Sequence, residues 1–266
     1  MSLLDQVTPL VITFDEAANI ERTLEKLRWA RRIVVIDSGS TDGTLDIVAR
    51  YPQAEVVHRP FDSFAAQCNF GLAQIASGWA LSLDADYELS DELVRELHQL
   101  EDRPDIAGYR AGFIYRIHGA PLRGTLYPPR TVLYRVKSAR YEDEGHGHRV
   151  VVSGGVADLR GAIYHDDRKP LSRWISSQRR YARLEAEHLS CAPRARLSLT
   201  DRIRLLAAPA PLLVVPYVLL AKGCIFDGWA GWRYALERLL AETLLALELL
   251  DRRRARVGGT EDAGRL

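Results

Sequence analysis

The chain has 266 residues, 47% of them hydrophobic and 27% charged, with 36 Lys and Arg against 35 Asp and Glu for a formal net charge of +1. This is ordinary globular composition, long enough for one large domain or two small ones, and it excludes a disordered, collagen-like or disulfide-scaffold chain. The balanced charge gives no global field for nucleic acid, but acidic residues gather in the first 110 positions and arginines in the last 100, so an anionic partner is expected for the second half.

In chain order, Pro9 to Thr13 reads as a buried strand, and Glu16 to Ala30 as a helix with Ile20, Leu24 and Leu27 at helical spacing. Ile33 to Ile36 is a β-branched run suited to a parallel strand covered on both faces. Thr41 to Tyr51 follows as a helix, Ala54 to His58 as a strand, Phe64 to Ala76 as a helix and Ala80 to Leu83 as a strand. Ser90 caps a helix through Leu100. This alternation predicts a parallel sheet with helices on both faces. After Pro104 the strands Tyr109–Ile117, Thr131–Arg135, Val150–Val152 and Ala162–Tyr164 look like an antiparallel addition around a Gly/Pro-rich loop, 119–130. From Leu171 a helix presents Trp174, Ile175, Gln178, Tyr181 and Leu184 on one face. Leu205 to Ala221 carries no charge and three prolines, which is short for a spanning helix and fits a re-entrant or interfacial one. Trp232 to Leu250 is Leu-rich, so 205–250 is read as an apolar hairpin, packed in a core or laid on a membrane surface. Residues 251–266 are expected to be a disordered tail.

Cys68, Cys191 and Cys224 form no CxxC pair and are read as reduced thiols. The N-terminus shows no signal-peptide pattern, so export is not expected.

Three strand ends carry acids. Asp84 and Asp86 follow an apolar strand; on an extended chain they point the same way, so they can share a hard cation, or one can hold it while the other takes a sugar hydroxyl. Asp37 opens Asp37-Ser38-Gly39-Ser40-Thr41-Asp42-Gly43-Thr44 after the second strand, where its carboxylate can accept a nucleobase N–H or simply build the turn. Thr13-Phe14-Asp15-Glu16 ends the first strand, with an aromatic able to stack on a base. Open α/β sheets bind ligands at these ends, and the convergence of the three is the signal. There is no GxGxxG and no Walker lysine, which disfavours dinucleotide oxidoreductases and P-loop NTPases.

Together with Phe64-Ala65-Ala66-Gln67-Cys68-Asn69-Phe70, these motifs resemble glycosyltransferase family 2, strongly from Val7 to about Leu100 and more weakly to the His165-Asp166-Asp167 region. The nearest resemblance is to bacterial enzymes that add sugars to lipopolysaccharide core or related envelope glycans. It implies a GT-A nucleotide-diphospho-sugar transferase fold over 1–168, with a nucleotide-sugar half at 1–100 and an acceptor half at 101–168. A helical, membrane-proximal region follows over 169–250. It also implies inverting transfer from a nucleotide-diphosphate donor, typically a UDP-sugar. Thr13, Phe14 and Glu16 would line the base and ribose pocket, Asp37 would bind the base and Asp84 the ribose or diphosphate. Asp86, with His165, would hold Mg²⁺ or Mn²⁺. Two positions depart from the family: Asp15 stands where Asn is usual, and Cys68 stands where Lys or Arg is frequent beside Asn69. Arg59 is a possible substitute for the missing phosphate partner.

Such chemistry needs a carboxylate to accept the acceptor's proton. Asp143 and Glu144, in Tyr141 to His148, are the candidates, and the sequence does not choose between them. His146 and His148 lack the further ligands of a zinc site. Arg168, Lys169, Arg173, Arg179, Arg180, Arg183, Arg194, Arg196, Arg202 and Arg204 flank the apolar segment and suit an anionic membrane surface or a phosphorylated glycolipid. They form no stacking platform for nucleic acid. The expectation is a cytoplasmic enzyme, peripheral on the inner membrane, acting on an envelope glycan or glycolipid. The alternatives are a nucleotide-sugar-binding or membrane scaffold without activity, and a sugar-nucleotide pyrophosphorylase. The latter is disfavoured by the acidic loop after the first strand.

Overall fold

The computed structural model describes residues 3–76, 78–144 and 147–263. The chain divides into two compact units, 1–121 with 125–169, and 122–124 with 170–266.

The first unit is built on one sheet. Its strands are β1 (Val7–Thr13), β2 (Ile33–Asp37), β3 (Ala54–His58), β4 (Trp79–Asp84), β5 (Tyr87–Leu89), β6 (Ile106–Ile117), β8 (Arg130–Arg135) and β11 (Gly155–His165). The order is β3-β2-β1-β4-β8-β6-β11-β5, with the two-residue β7 (Ala120–Pro121) beside β6. β1 to β4 pair in parallel, as their apolar runs predict, and β2 is buried at every position. The later strands only partly match the antiparallel expectation. β8 runs antiparallel to β4 and β6, but β11 lies parallel to β6, because a hairpin, β9 (Ala139–Glu144) and β10 (Gly147–Val152), intervenes before the chain re-enters the sheet.

The helices of this unit are α1 (Ile20–Glu25), α2 (Thr44–Val48), α3 (Phe64–Ala73) and α4 (Asp91–Gln99). All four are shorter than the sequence pattern suggested, since turns form part of those spans. α3 packs against β1 so closely that a Cβ on Gly71 would lie 2.5 Å from Leu10 Cδ1. Ser63 and Ser90 cap α3 and α4 through their hydroxyls. One core cluster joins Val11, Leu24, Ile33, Trp79, Leu83, Leu93 and Ile163, and a second joins Leu10, Ile36, Cys68, Ala80 and Tyr134.

The second unit holds α5 (Leu171–Cys191), α6 (Leu199–Leu205), α7 (Pro209–Pro216) and α8 (Gly228–Ala263). The inward face of α5 is carried by Ala182, Ala186 and Leu189, which meet Leu245 and Leu249 of α8, while Leu184, on the face read from the sequence, is exposed. α8 continues through Ala263 across the stretch read as a disordered tail; Arg and Ala at 252–256 are good helix formers. After α7 the chain makes a π-helical turn, Tyr217–Ala221, with the Lys222 N–H bonded to the Tyr217 carbonyl at 3.0 Å. Pro216 accounts for this, because its ring removes a donor and clashes with the preceding turn. Among the described residues no single helix is long and apolar enough to cross a membrane. Pro209–Ala221 and Cys224–Ala255 pass that test only as a pair, bent by 75°. Leu212, Leu220, Phe226 and Trp229 are 75%, 68%, 73% and 59% exposed.

Candidate active site

The register of the sheet sets the site. Thr13 lies opposite Asp37, and Ile12 opposite Asp84, so the C-terminal ends of β1, β2 and β4 stand side by side as the acid-tipped pattern predicted. At the far side, His165 ends β11 between Tyr87 of β5 and Tyr115 of β6. Residues remote in sequence thus meet along one rim.

At the β4 end, the Asp86 Oδ2 lies 3.2 Å from the His165 Nε2. Burial works against the Asp86 carboxylate, yet the charges of His165 and Lys169 hold its pKa down at about 2. Burial likewise opposes the His165 imidazolium, but Asp86, with Asp84 and Asp167 behind it, lifts its pKa above the ordinary value. Around His165 stand the rings of Tyr115, Tyr127 and Tyr87, with centroids 4.7, 5.0 and 5.2 Å away. The Tyr87 and Tyr127 hydroxyls are hydrogen bonded to each other.

At the β1 end, Thr13 is buried and its Oγ1 has no hydrogen-bond partner, while Phe14 is half exposed. Asp15 adopts φ +50°, in the left-handed region where Asn is favoured, which explains why Asn suits this position. The aspartate is held there by the Ser40 hydroxyl, which accepts from its N–H at 2.7 Å, and by the Thr41 N–H, which donates to its carboxylate at 2.6 Å. Glu16 accepts from Lys169 Nζ at 2.5 Å and Asn19 Nδ2 at 2.8 Å. Burial, then the charge of Asp86, still pushes its carboxyl up to about 7.

Asn19, to which the sequence assigns no role, is the keystone of this rim. It is 1% exposed and makes four side-chain hydrogen bonds. Its Nδ2 donates to Glu16 and to Asp167 (3.0 Å); its Oδ1 accepts from Arg22 (2.8 Å) and from the Arg168 N–H (3.0 Å). Arg22 and Arg168 also clamp the buried Asp166 carboxylate at 2.9 and 2.8 Å. Arg168 and Lys169 therefore belong to this rim rather than to a basic helix face.

Several expected ligands are engaged elsewhere. Asp37 is fully buried, accepting from the Gly39 and Ser40 N–H groups and the Ser40 hydroxyl (2.5 Å), with His58 Nδ1 at 3.1 Å; it builds its own turn. Asn69 bonds both the carbonyl and the N–H of Tyr141, at 2.9 and 2.8 Å, and so latches β9 to α3. Arg59 is forked onto Asp62 and bonds Gln67. Asp143 accepts from the Ser63 hydroxyl (2.9 Å) and the Ala65 N–H (3.1 Å) at the start of α3. The Glu144 and His148 side chains and His146 lie outside the described residues.

Among the described residues no group of three or more His, Cys, Asp and Glu side chains is placed to hold a metal ion. The donor set still fits Mg²⁺ or Mn²⁺ carried by a diphosphate, because such an ion needs only one or two protein carboxylates. Asp84 supplies a carboxylate with no hydrogen bond or ion pair among the described residues, next to Asp86 and His165.

The sequence profile described as glycosyl transferase family 2 matches residues 10–153, more than half of the chain and the whole acid-tipped region. The chain belongs to glycosyl transferase family 2. Its sheet, with helices on both faces and a C-terminal helical segment, is the GT-A architecture that the resemblance implied. This glycosyltransferase is similar to the lipopolysaccharide core biosynthesis glycosyltransferase LpsC of Rhizobium meliloti (strain 1021), 29% identical over 68% of this chain and 70% of LpsC. It is also similar to an uncharacterized glycosyltransferase of Rickettsia bellii, 31% identical over 61% of this chain and 58% of the relative. Among solved structures, S. aureus TarS in complex with UDP-GlcNAc aligns over 94% of this chain and 92% of its own, at 15% identity and a TM-score of 0.43.

Proposed function

We propose that this glycosyltransferase moves a sugar from a nucleoside-diphosphate donor, a UDP-sugar, to a hydroxyl of an envelope glycan or glycolipid of the lipopolysaccharide-core class, with inversion. Family membership and the likeness to LpsC support the reaction and the acceptor class. The observation that carries the donor site is the pair of acids ending β4. Asp84 has an unengaged carboxylate, and Asp86 is balanced by His165 on the same rim.

In the proposed reaction the acceptor oxygen attacks the anomeric carbon in line, the bond from that carbon to the diphosphate breaks, and the nucleoside diphosphate leaves. The acceptor proton passes to a carboxylate. Of the two candidates, Asp143 already accepts two hydrogen bonds at the start of α3, so we assign the proton to Glu144. A divalent cation, Mg²⁺ or Mn²⁺, would be held by Asp86, Asp84 and His165, and would supply charge neutralisation for the departing diphosphate. Thr13, Phe14 and Glu16 would border the base and ribose.

The acceptor reading includes a membrane surface. The exposed apolar side chains of α7, the π turn and the start of α8, with Trp229 and Trp232 among them, suit interfacial contact from the cytoplasmic face of the inner membrane. Arg194 and Arg202 lie in the same unit and suit anionic headgroups.

Calorimetric titration of the full chain with UDP, with and without Mn²⁺, tests the donor reading. Metal-dependent binding supports it, and Asp86→Asn should then lose the metal dependence. Glu144→Gln should keep donor binding and lose turnover. No binding of any nucleoside diphosphate would sink the enzyme reading.

A further inference from the structure

The charged groups of the crevice divide into those already matched and those not. Asp86 faces His165, Glu16 faces Lys169, Asp166 is clamped by Arg22 and Arg168, and Asp37 is closed by its own turn. Among the described residues two of these groups keep their hydrogen-bonding capacity. One is Asp84. The other is Arg130, the first residue of β8.

Arg130 is half-buried, and its guanidinium lies over the Tyr127 ring, 4.4 Å from the centroid. Among the described residues no carboxylate bonds it, and its side chain makes no hydrogen bond. Its neighbours in the first unit are treated differently: Arg22, Arg59, Arg110 and Arg135 hold carboxylates at 2.9, 2.6, 2.6 and 2.6 Å. A guanidinium with one face on an aromatic ring and its N–H donors open to solvent is held in place and free to take a ligand. Its fork fits phosphate oxygens bidentately.

Position says which ligand. β8 runs antiparallel to β4 with Leu81 opposite Leu133, so Arg130, at the start of β8, lies toward the C-terminal end of β4, where Asp84 stands. The charge of Asp84 is felt by Arg130 and, from α3, by Cys68. Cys68 is the buried thiol that stands where the family resemblance leads one to expect a cation for the donor phosphates. The cation missing from α3 and the unmatched one on β8 thus border the same carboxylate.

We propose that Arg130 is the diphosphate-binding cation of the donor site, gripping phosphate oxygens with its fork while Tyr127 holds the guanidinium flat. This rests on the nucleotide-sugar reading above. It moves the phosphate contact from the helix after β3 to the strand beside β4, and it relieves Arg59 of that role.

The test is calorimetric titration of the full chain with whichever of UDP, GDP, CDP and dTDP the wild type binds best, and with the matching nucleoside, in EDTA and again with Mn²⁺. Arg130→Gln should weaken nucleoside-diphosphate binding about 10- to 100-fold, the range for hydrogen bonds to charged groups, and leave nucleoside binding unchanged. Arg130→Lys should recover part of the loss, and the exposed Arg110→Gln should change neither; thermal melts confirm that each variant is folded. Equal losses for diphosphate and nucleoside, or unchanged diphosphate affinity in Arg130→Gln, would overturn the assignment while leaving the donor reading intact. Unchanged diphosphate binding with lost transfer would also overturn it, and would place Arg130 on the sugar or the acceptor. A wild type that binds no nucleoside diphosphate would refute the donor reading and the assignment together.

Discussion

Asn19→Ala removes four hydrogen bonds at once from a side chain that is 1% exposed. Two of these bonds go to carboxylates and one comes from a guanidinium. Bonds to charged groups contribute about 1.5–3 kcal/mol each and neutral ones about 1 kcal/mol. Glu16 and Asp167 are 12% and 19% exposed and can recover some water, so the sum is discounted to about 3–5 kcal/mol. For a unit of this size that lowers the melting midpoint by about 6–20 °C. Asn19→Asp is the sharper probe, because it keeps the shape but turns an anionic oxygen toward Glu16 and Asp167. The folded state then binds a proton more tightly than the unfolded one, so stability falls as pH rises through neutrality and is regained toward pH 5. Calorimetric melts of wild type and both variants between about pH 5 and 8 measure this. A midpoint drop below about 3 °C for Asn19→Ala, or a pH-independent Asn19→Asp, would refute the keystone argument.

Gly161→Ala places a Cβ 2.4 Å from the Leu93 Cα and 2.5 Å from its nitrogen, so α4 must move off β11; a loss of at least about 2 kcal/mol is expected in urea unfolding. In thiol titration of the native protein, exposed Cys191 should react fast. Cys68, whose thiol is pushed far up by burial and by Asp84, and buried Cys224 should react only on unfolding. Phe226→Ser with Trp229→Ser should reduce flotation with anionic vesicles at least about tenfold without changing nucleotide affinity, since each removed aromatic takes about 1.5–3 kcal/mol of apolar burial with it. Equal flotation would remove the membrane-surface reading.

The first strands were legible because each declares itself locally: Ile33 to Ile36 is β-branched throughout, and its neighbours end in acids. What those acids do was less legible, since that depends on partners far along the chain. Asn69 looks like a ligand beside Cys68, but both ends of its amide go to Tyr141, 72 residues away. Lys169 reads as one of a run of basic residues, yet it pairs with Glu16 across 153 positions. Asp37 is the reverse case: its turn is built locally, with the Gly39 and Ser40 N–H groups donating to its carboxylate, so the strand–turn–helix is legible from the motif alone. The parallel pairing of β11 with β6 was hidden because a three-residue apolar run at Ala162–Tyr164 does not reveal strand direction, and the β9–β10 hairpin that reverses the chain has no signature of its own.

The pairing of β5 with β11 has a consequence for biosynthesis. Tyr87 meets His165, and Asn19 meets Asp167, so the rim joins segments almost 150 residues apart. At about 5–20 residues per second, the ribosome needs on the order of 10 s to deliver the closing segment after β1, β2 and β4 have emerged. During that interval the nascent chain has its acidic strand ends but lacks Arg168, Lys169 and His165 to balance them. The crevice is therefore completed late, and the long sequence separation of its closing contacts predicts that this is the slow step of folding.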